Sequence, residues 1–155
     1  MENADEIADE FIERMGLITE AEGMPRIAGR IMGFLVIYGG PFSFSELAER
    51  LKVSRSSIST NTRLLQKLGA IERTTSAGDR QDYFKIRPDA YARILEQSVS
   101  RMQYACETID NTKQGLPKDW KDAQNRLSDL FEFYQENING ARKIISLMSN
   151  SVKKS

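Results

Sequence analysis

The chain has 155 residues, 40% of them hydrophobic and 28% charged, about one domain's worth of an ordinary globular composition. No apolar run approaches the roughly 18 residues of a membrane span. The acidic opening MENADEIADE lacks the basic start of a signal peptide. A single cysteine excludes an internal disulfide, so a reducing cytoplasm is the expected compartment. The zero net charge conceals an asymmetry: residues 1–22 carry eight acids and one arginine, whereas residues 50–93 carry ten Lys/Arg and four acids. A basic block beside an acidic arm suits nucleic acid binding, and suits a solvated face equally well.

In chain order, the first element is a helix from Glu2 to about Ile18. Ile7, Phe11, Met15 and Ile18 form its apolar stripe, and acids fill the rest. Such an acidic helix cannot face phosphates; its stripe needs a partner surface. The run GMPRIAGRIMGFLVIYGG predicts a second helix, with Pro25 at its first position and Gly39-Gly40 as its stop. Ile27, Ile31, Phe34, Leu35 and Tyr38 make its core face. Gly29 and Gly33 each cost a helix about 1 kcal/mol relative to alanine. Something therefore comes close there, a neighbouring helix or a ligand.

PFSFSELAERLKVS follows. Ser43 and Glu46 have the spacing of a capping box. The short helix after it runs to about Leu51, with Leu47 and Leu51 inward. Ser54 can cap the next helix, whose inward positions are Ile58, Leu65 and Leu68, helped by Leu64, and which stops at Gly69. Two short helices joined by a tight turn make a helix-turn-helix pattern. Ile71, Arg73 and Thr75 then alternate with Glu72 and Thr74. SAGDR supplies a turn, and Tyr83, Phe84 and Ile86 suit a returning strand. The result is a two-stranded hairpin with a basic tip, a wing.

From Pro88 the pattern is helical. Tyr91, Leu95, Val99, Met102, Cys106 and Ile109 follow the spacing of a coiled-coil seam. GLP at 115–117 interrupts it. Trp120, Ala123, Leu127, Leu130, Tyr134, Ile138, Ala141 and Ile145 resume it, and NSVKKS is expected to fray. Narrow seams must be buried against each other, the first helix or a second chain. The fold class expected is mainly α with a small β-hairpin: a winged helix-turn-helix over residues 23–87, between N-terminal (1–22) and C-terminal (88–155) helical dimerisation regions.

The segments PRIAGRIMG, SELAERLKVSRSSIS and LGAIER followed by GDR, in that order and spacing, carry a family likeness. Residues 8–87 resemble the GbsR-type branch of the MarR-like winged-helix transcription regulators. The resemblance implies a prokaryotic homodimer built by its N- and C-terminal helices, each winged helix reading half of a pseudo-palindromic operator in double-stranded DNA, most often as a repressor. MarR-like wings often carry Asp followed by two arginines. Here Asp79 and Arg80 are kept and Gln81 replaces the second arginine.

That reading explains an oddity. SRSSISTNTR fills the fourth helix with short polar side chains that compete for backbone groups. A recognition helix enters the major groove N-terminal end first, and hydroxyls reach phosphates or base edges there. With residues 54–68 as that helix, the DNA-contacting candidates are Ser54, Arg55, Ser56, Ser57, Ser59, Thr60, Asn61 and Arg63. Asn61, at the border of the outward face, can read adenine or bond within the protein. In the wing, over residues 71–86, Arg80 is placed for a minor groove, whose negative potential attracts arginine, and Asp79 is expected to orient it.

An enzyme is not expected from the same inventory. Without histidine there is no ordinary triad or imidazole base, and no phosphate-binding glycine loop occurs. Cys106 sits at a seam position, where packing accounts for it better than a redox role. No cofactor or metal is expected. A winged-helix protein-interaction module without DNA affinity is the competing function. The family's association with choline and glycine betaine metabolism suggests a quaternary ammonium effector. Trp120, Phe131, Phe133, Tyr134 and Tyr104 are aromatic rings able to cage such a cation, although seam and core packing accounts for them better.

Overall fold

The computed structural model describes residues 3–154, with side chains through Ser151. The elements, in order, are α1 (Ala4–Ala21), α2 (Arg26–Tyr38), β1 (Phe42–Ser43), α3 (Phe44–Leu51), α4 (Arg55–Lys67), β2 (Ile71–Thr74), β3 (Tyr83–Ile86), α5 (Ala90–Gly115) and α6 (Lys121–Lys154). They fall into two compact units that divide after Ala90. Glu2, the expected first helical residue, and Ser155, the end of the expected frayed tail, lie outside the described residues.

The first unit contains the helix-turn-helix and the sheet. Its core is made by Ala28, Ile31, Phe34 and Leu35 of α2, Leu47 and Leu51 of α3, Ile58 and Leu65 of α4, and Ile71 and Phe84 of the strands, all below a tenth exposed. Leu68, expected inward, is only half-buried, because α4 ends at Lys67 and Leu68 is its C-cap. Pro25 lies one residue outside α2, as its N-cap. The capping box of α3 forms as the spacing requires: Ser43 Oγ accepts from the Glu46 N–H at 3.2 Å, and Glu46 Oε2 accepts from the Ser43 N–H at 2.7 Å. Ser43 also belongs to β1, which the sequence did not announce. β1 pairs antiparallel with β3 (Phe42 opposite Phe84), and β3 pairs with β2 (Arg73 opposite Phe84). The expected two-stranded wing is thus a three-stranded sheet of order β1-β3-β2. A two-residue strand has no alternation to read.

The packing of α1 departs from the expected stripe. Ala8, Ile12 and Gly16 are the buried residues of α1, while Ile7 and Ile18 are about half exposed. The glycines of α2 account for this. An added Cβ on Gly29 would meet the Thr19 side chain and, at 2.5 Å, the Met15 carbonyl oxygen; one on Gly33 would meet Ile12 Cα at 3.2 Å. The neighbour that comes close to Gly29 and Gly33 is therefore α1 itself. The small residues of α2 let the backbones approach, so the face of α1 that carries Ala8, Ile12 and Gly16 turns inward rather than the one with Ile7 and Ile18. Arg30 ties the assembly: it donates to Glu13 of α1 at 2.7 Å and to the Leu51 carbonyl at the end of α3 at 2.9 Å.

In the second unit α5 and α6 form a helical hairpin. Val99, Cys106, Ile138 and Ala141 are buried together, with Leu95, Met102, Phe131, Tyr134 and Ile145 packed round them. Tyr91, Trp120 and Leu130, expected in the seams, are exposed. Gln124 Nε2 donates to the Lys113 carbonyl at 3.1 Å and closes the end of α5. Among the described residues no helix is long and apolar enough to cross a membrane.

Candidate nucleic-acid interface

The helix α4 begins at Ser54, whose Oγ accepts from the Ser57 N–H at 3.1 Å, the N-cap that holds an otherwise polar helix in place. Ile58 and Leu65 anchor its inner face. Thr62 joins them, fully buried, with its hydroxyl donating to the Ile58 carbonyl at 2.8 Å. That inward bond was legible in principle as a four-residue step from Ile58. Ser56, Thr60 and Arg63 are exposed on the opposite side, and Ser57 and Ser59 are half-buried between the faces. Arg63 leans back along the helix, its Nε donating to the Ser59 carbonyl at 3.3 Å. Arg55 is exposed and donates to Ser45 Oγ of α3 at 2.9 Å, which fixes one helix of the pair against the other.

Asn61 is not at the border of the outward face. It is 6% exposed, and its Nδ2 donates to the Ser57 carbonyl at 2.8 Å. Its Oδ1 is buried without a hydrogen-bond partner. A contact to adenine would require the side chain to leave this position. The helical period puts residue 61 within one turn of both Ile58 and Leu65, and the core side prevails.

In the wing, Gly78 takes a positive φ of 82° at the turn, a conformation glycine adopts without strain. Arg80 is exposed, and its guanidinium makes no ion pair or hydrogen bond among the described residues. Asp79 does not orient it. The Asp79 carboxylate accepts from the Tyr83 hydroxyl at 2.6 Å and from the Gln81 N–H at 2.9 Å. The Tyr83 bond, then that of Gln81, holds the Asp79 carboxyl below the usual carboxylate range. The same bond raises the Tyr83 phenol. Asp79 shapes the loop from which Arg80 projects. Arg73 pairs with Asp82 at 3.5 Å and Lys85 with Glu72 at 3.3 Å, so those wing cations are already matched.

Among the described residues no group of His, Cys, Asp and Glu side chains is placed to hold a metal ion. The five candidate cage rings are dispersed within the second unit. Phe131 and Tyr134 pack against the hairpin core. Tyr104 and Trp120 are 74% and 57% exposed. Of these five rings, Phe133 and Tyr134 are the pair in ring contact among the described residues, at 5.5 Å.

Comparison with known proteins bears on this geometry. The model of the MarR family matches residues 22–82. Over 132 residues the chain is 35% identical to the HTH-type transcriptional regulator MmpR5 of Mycobacterium tuberculosis (strain ATCC 25618 / H37Rv), spanning 83% of this chain and 80% of that protein. It is 25% identical over 154 residues to the putative HTH-type transcriptional regulator YvaV of Bacillus subtilis (strain 168), spanning 82% and 86%. A solved structure described as a transcriptional regulator matches with a TM-score of 0.78 and 31% identity, over 92% of this chain and 98% of that one. These relatives are regulators, not enzymes.

Proposed function

The chain belongs to the MarR family of winged-helix transcription regulators, and from that membership we propose that it is a sequence-specific, double-stranded-DNA-binding repressor of the GbsR-type branch. It acts as a cytoplasmic homodimer on a pseudo-palindromic operator. The recognition helix α4 enters the major groove, and the wing reaches the neighbouring minor groove. The observation that carries this reading is the outward face of α4. Ser56, Thr60 and Arg63 are exposed on a helix that local propensity disfavours, and among the described residues the Arg80 guanidinium has no partner. Ser56, Thr60 and Arg63 make the base and phosphate contacts. Ser54, Arg55, Ser57 and Ser59 hold the helix end and reach the backbone. Asn61 supports the helix from inside. A quaternary ammonium effector would need a cage of converging rings, and the function proposed does not depend on one.

The test is duplex binding measured across salt. Phosphate contacts release counterions, so affinity should fall linearly on a log–log plot, with a slope near −0.9 per contact. The competing reading, a winged-helix module that binds only protein, predicts no salt-dependent binding to any duplex. Selection of bound fragments from random DNA would then give the operator, and an unenriched pool would sink the claim of specificity.

A further inference from the structure

The wing tip is held by one aspartate that bonds on two sides. Asp79 Oδ1 accepts from the Gln81 N–H at 2.9 Å, and Asp79 Oδ2 accepts from the Tyr83 hydroxyl at 2.6 Å. The first bond closes an Asx-turn, in which a side-chain oxygen takes the place of the backbone carbonyl of an ordinary turn. Arg80 is the corner residue of that turn. Its direction is therefore set by the Asp79 carboxylate, and the carboxylate is set by Tyr83. Gln81 brings no charge to the tip; it supplies the N–H.

Tyr83 is the fixed end of this arrangement. It is half-buried, whereas every residue from 75 to 81 is exposed. It lies in β3, the central strand of the sheet, opposite Thr74 of β2 on one side and Ser43 of β1 on the other. Ser43 is the N-cap of α3, and α3 is bonded to the start of α4 through Ser45 and Arg55. One phenol thus ties the wing loop to the frame that carries the recognition helix. The ion pair of Arg73 with Asp82, also at the base of the loop, is longer at 3.5 Å and partly exposed, and pairs of that kind contribute little.

We propose that Tyr83 is a positioning residue for DNA recognition: its hydroxyl clamps Asp79, so that Arg80 is presented to the minor groove in the arrangement it keeps when bound. The inference rests on the DNA-binding function proposed above and adds what sets the wing. A loop ordered before it binds gives up less conformational freedom on binding. The negative charge of Asp79 opposes an approach to phosphates, and the two bonds it makes account for its place beside them. Tyr83 acts through Asp79 and not by contact with DNA.

The test measures binding of the full chain to a labelled duplex with A·T-rich flanks, whose narrow minor groove attracts arginine. Tyr83→Phe keeps the ring and removes only the hydroxyl. It should weaken binding about two- to tenfold, with an unchanged circular dichroism spectrum. In an Arg80→Ala background the same substitution should have no further effect, because the group it positions is gone. Asp79→Asn keeps an oxygen for the Gln81 N–H and an amide for the Tyr83 oxygen, so it should retain binding that Asp79→Ala loses. NMR relaxation should show the Arg80 and Gln81 amides ordered in the parent and more mobile in Tyr83→Phe. Equal losses with and without Arg80 would overturn the clamp, because Tyr83 would then serve the sheet alone. So would an Asp79→Asn chain that binds no better than Asp79→Ala, or amides equally ordered in parent and Tyr83→Phe. A parent chain that binds no duplex at any salt overturns the DNA-binding reading and the clamp together. A parent that binds, with Tyr83→Phe unimpaired, overturns the clamp alone.

Discussion

At the residue scale the polar groups of α4 and the wing divide into those that face out and those that hold the element together. Thr60 is exposed and makes no bond that α4 needs. Thr60→Ala should leave the fold unchanged by circular dichroism while relaxing preference at one base position by about 1–3 kcal/mol; binding-site selection by the variant checks this. Arg80→Ala should weaken binding and flatten the slope of log affinity against log salt by about one unit. Its thermal stability should match the parent's, because no intramolecular bond is lost. Asp79 acts differently. Its carboxylate is held low by Tyr83, so its bond contributes above the ordinary aspartate range and is lost as pH falls through the lowered value. Tyr83 is raised, so its contribution is complete below the ordinary tyrosine range and is lost as pH rises through the raised value. The pair should therefore persist from mildly acidic to mildly alkaline pH. NMR titration of the Tyr83 ring should show one transition at each extreme and none near neutrality. Tyr83→Phe should reduce the downward shift of Asp79, leaving the part owed to the Gln81 N–H.

At the element scale the decisive contact is α1 on α2. Gly→Ala inside a helix ordinarily stabilises by up to about 1 kcal/mol. At Gly29 the sign should reverse, because the new methyl would meet the Met15 carbonyl oxygen of α1 at 2.5 Å, and backbone cannot swing aside as a side chain can. Gly29→Ala should cost about 1–3 kcal/mol, the usual range for overpacking. Urea denaturation reads this directly, and a stabilised variant would mean that α1 does not dock as described. The same contact explains why Ile7 and Ile18 stay exposed: Gly29 and Gly33 receive the turn of α1 that carries Ile12, Met15 and Thr19, which leaves Ile7 and Ile18 off that face.

At the scale of the whole molecule, apolar surface is left over in both units. Ile7, Leu17 and Ile18 of α1 and Val36 and Ile37 of α2 are each 45–52% exposed. In the second unit Phe133 and Leu147 exceed 60%. Scattered apolar residues need no explanation, but repeating rows of them mark association surfaces. Light scattering should report twice the 17.6 kDa chain mass at micromolar concentration, and thermal stability should rise with protein concentration, as mass action requires of a dimer. A stable single-chain particle would count against this.

Much of this was legible locally. The capping box at Ser43 and Glu46, the N-cap at Ser54, the break at residues 115–117 and the seam through Val99, Cys106, Ile138 and Ala141 all follow from side chains a few residues apart along the chain. Those signals determined the helix-turn-helix, the wing and the helical hairpin, together with an α4 too polar to be explained by stability. Tertiary structure decided what depends on distant approach. Which face of α1 turns inward was settled by glycines of α2. Whether Asn61 points out or in was settled by the packing of α4 on its neighbours. The third strand came from Phe42 and Ser43 meeting β3. Asp79 was claimed by Tyr83 across the turn, leaving Arg80 free. In each case the side-chain pattern of the segment left two arrangements open, and packing against a neighbouring element or a hydrogen bond within the folded segment selected one.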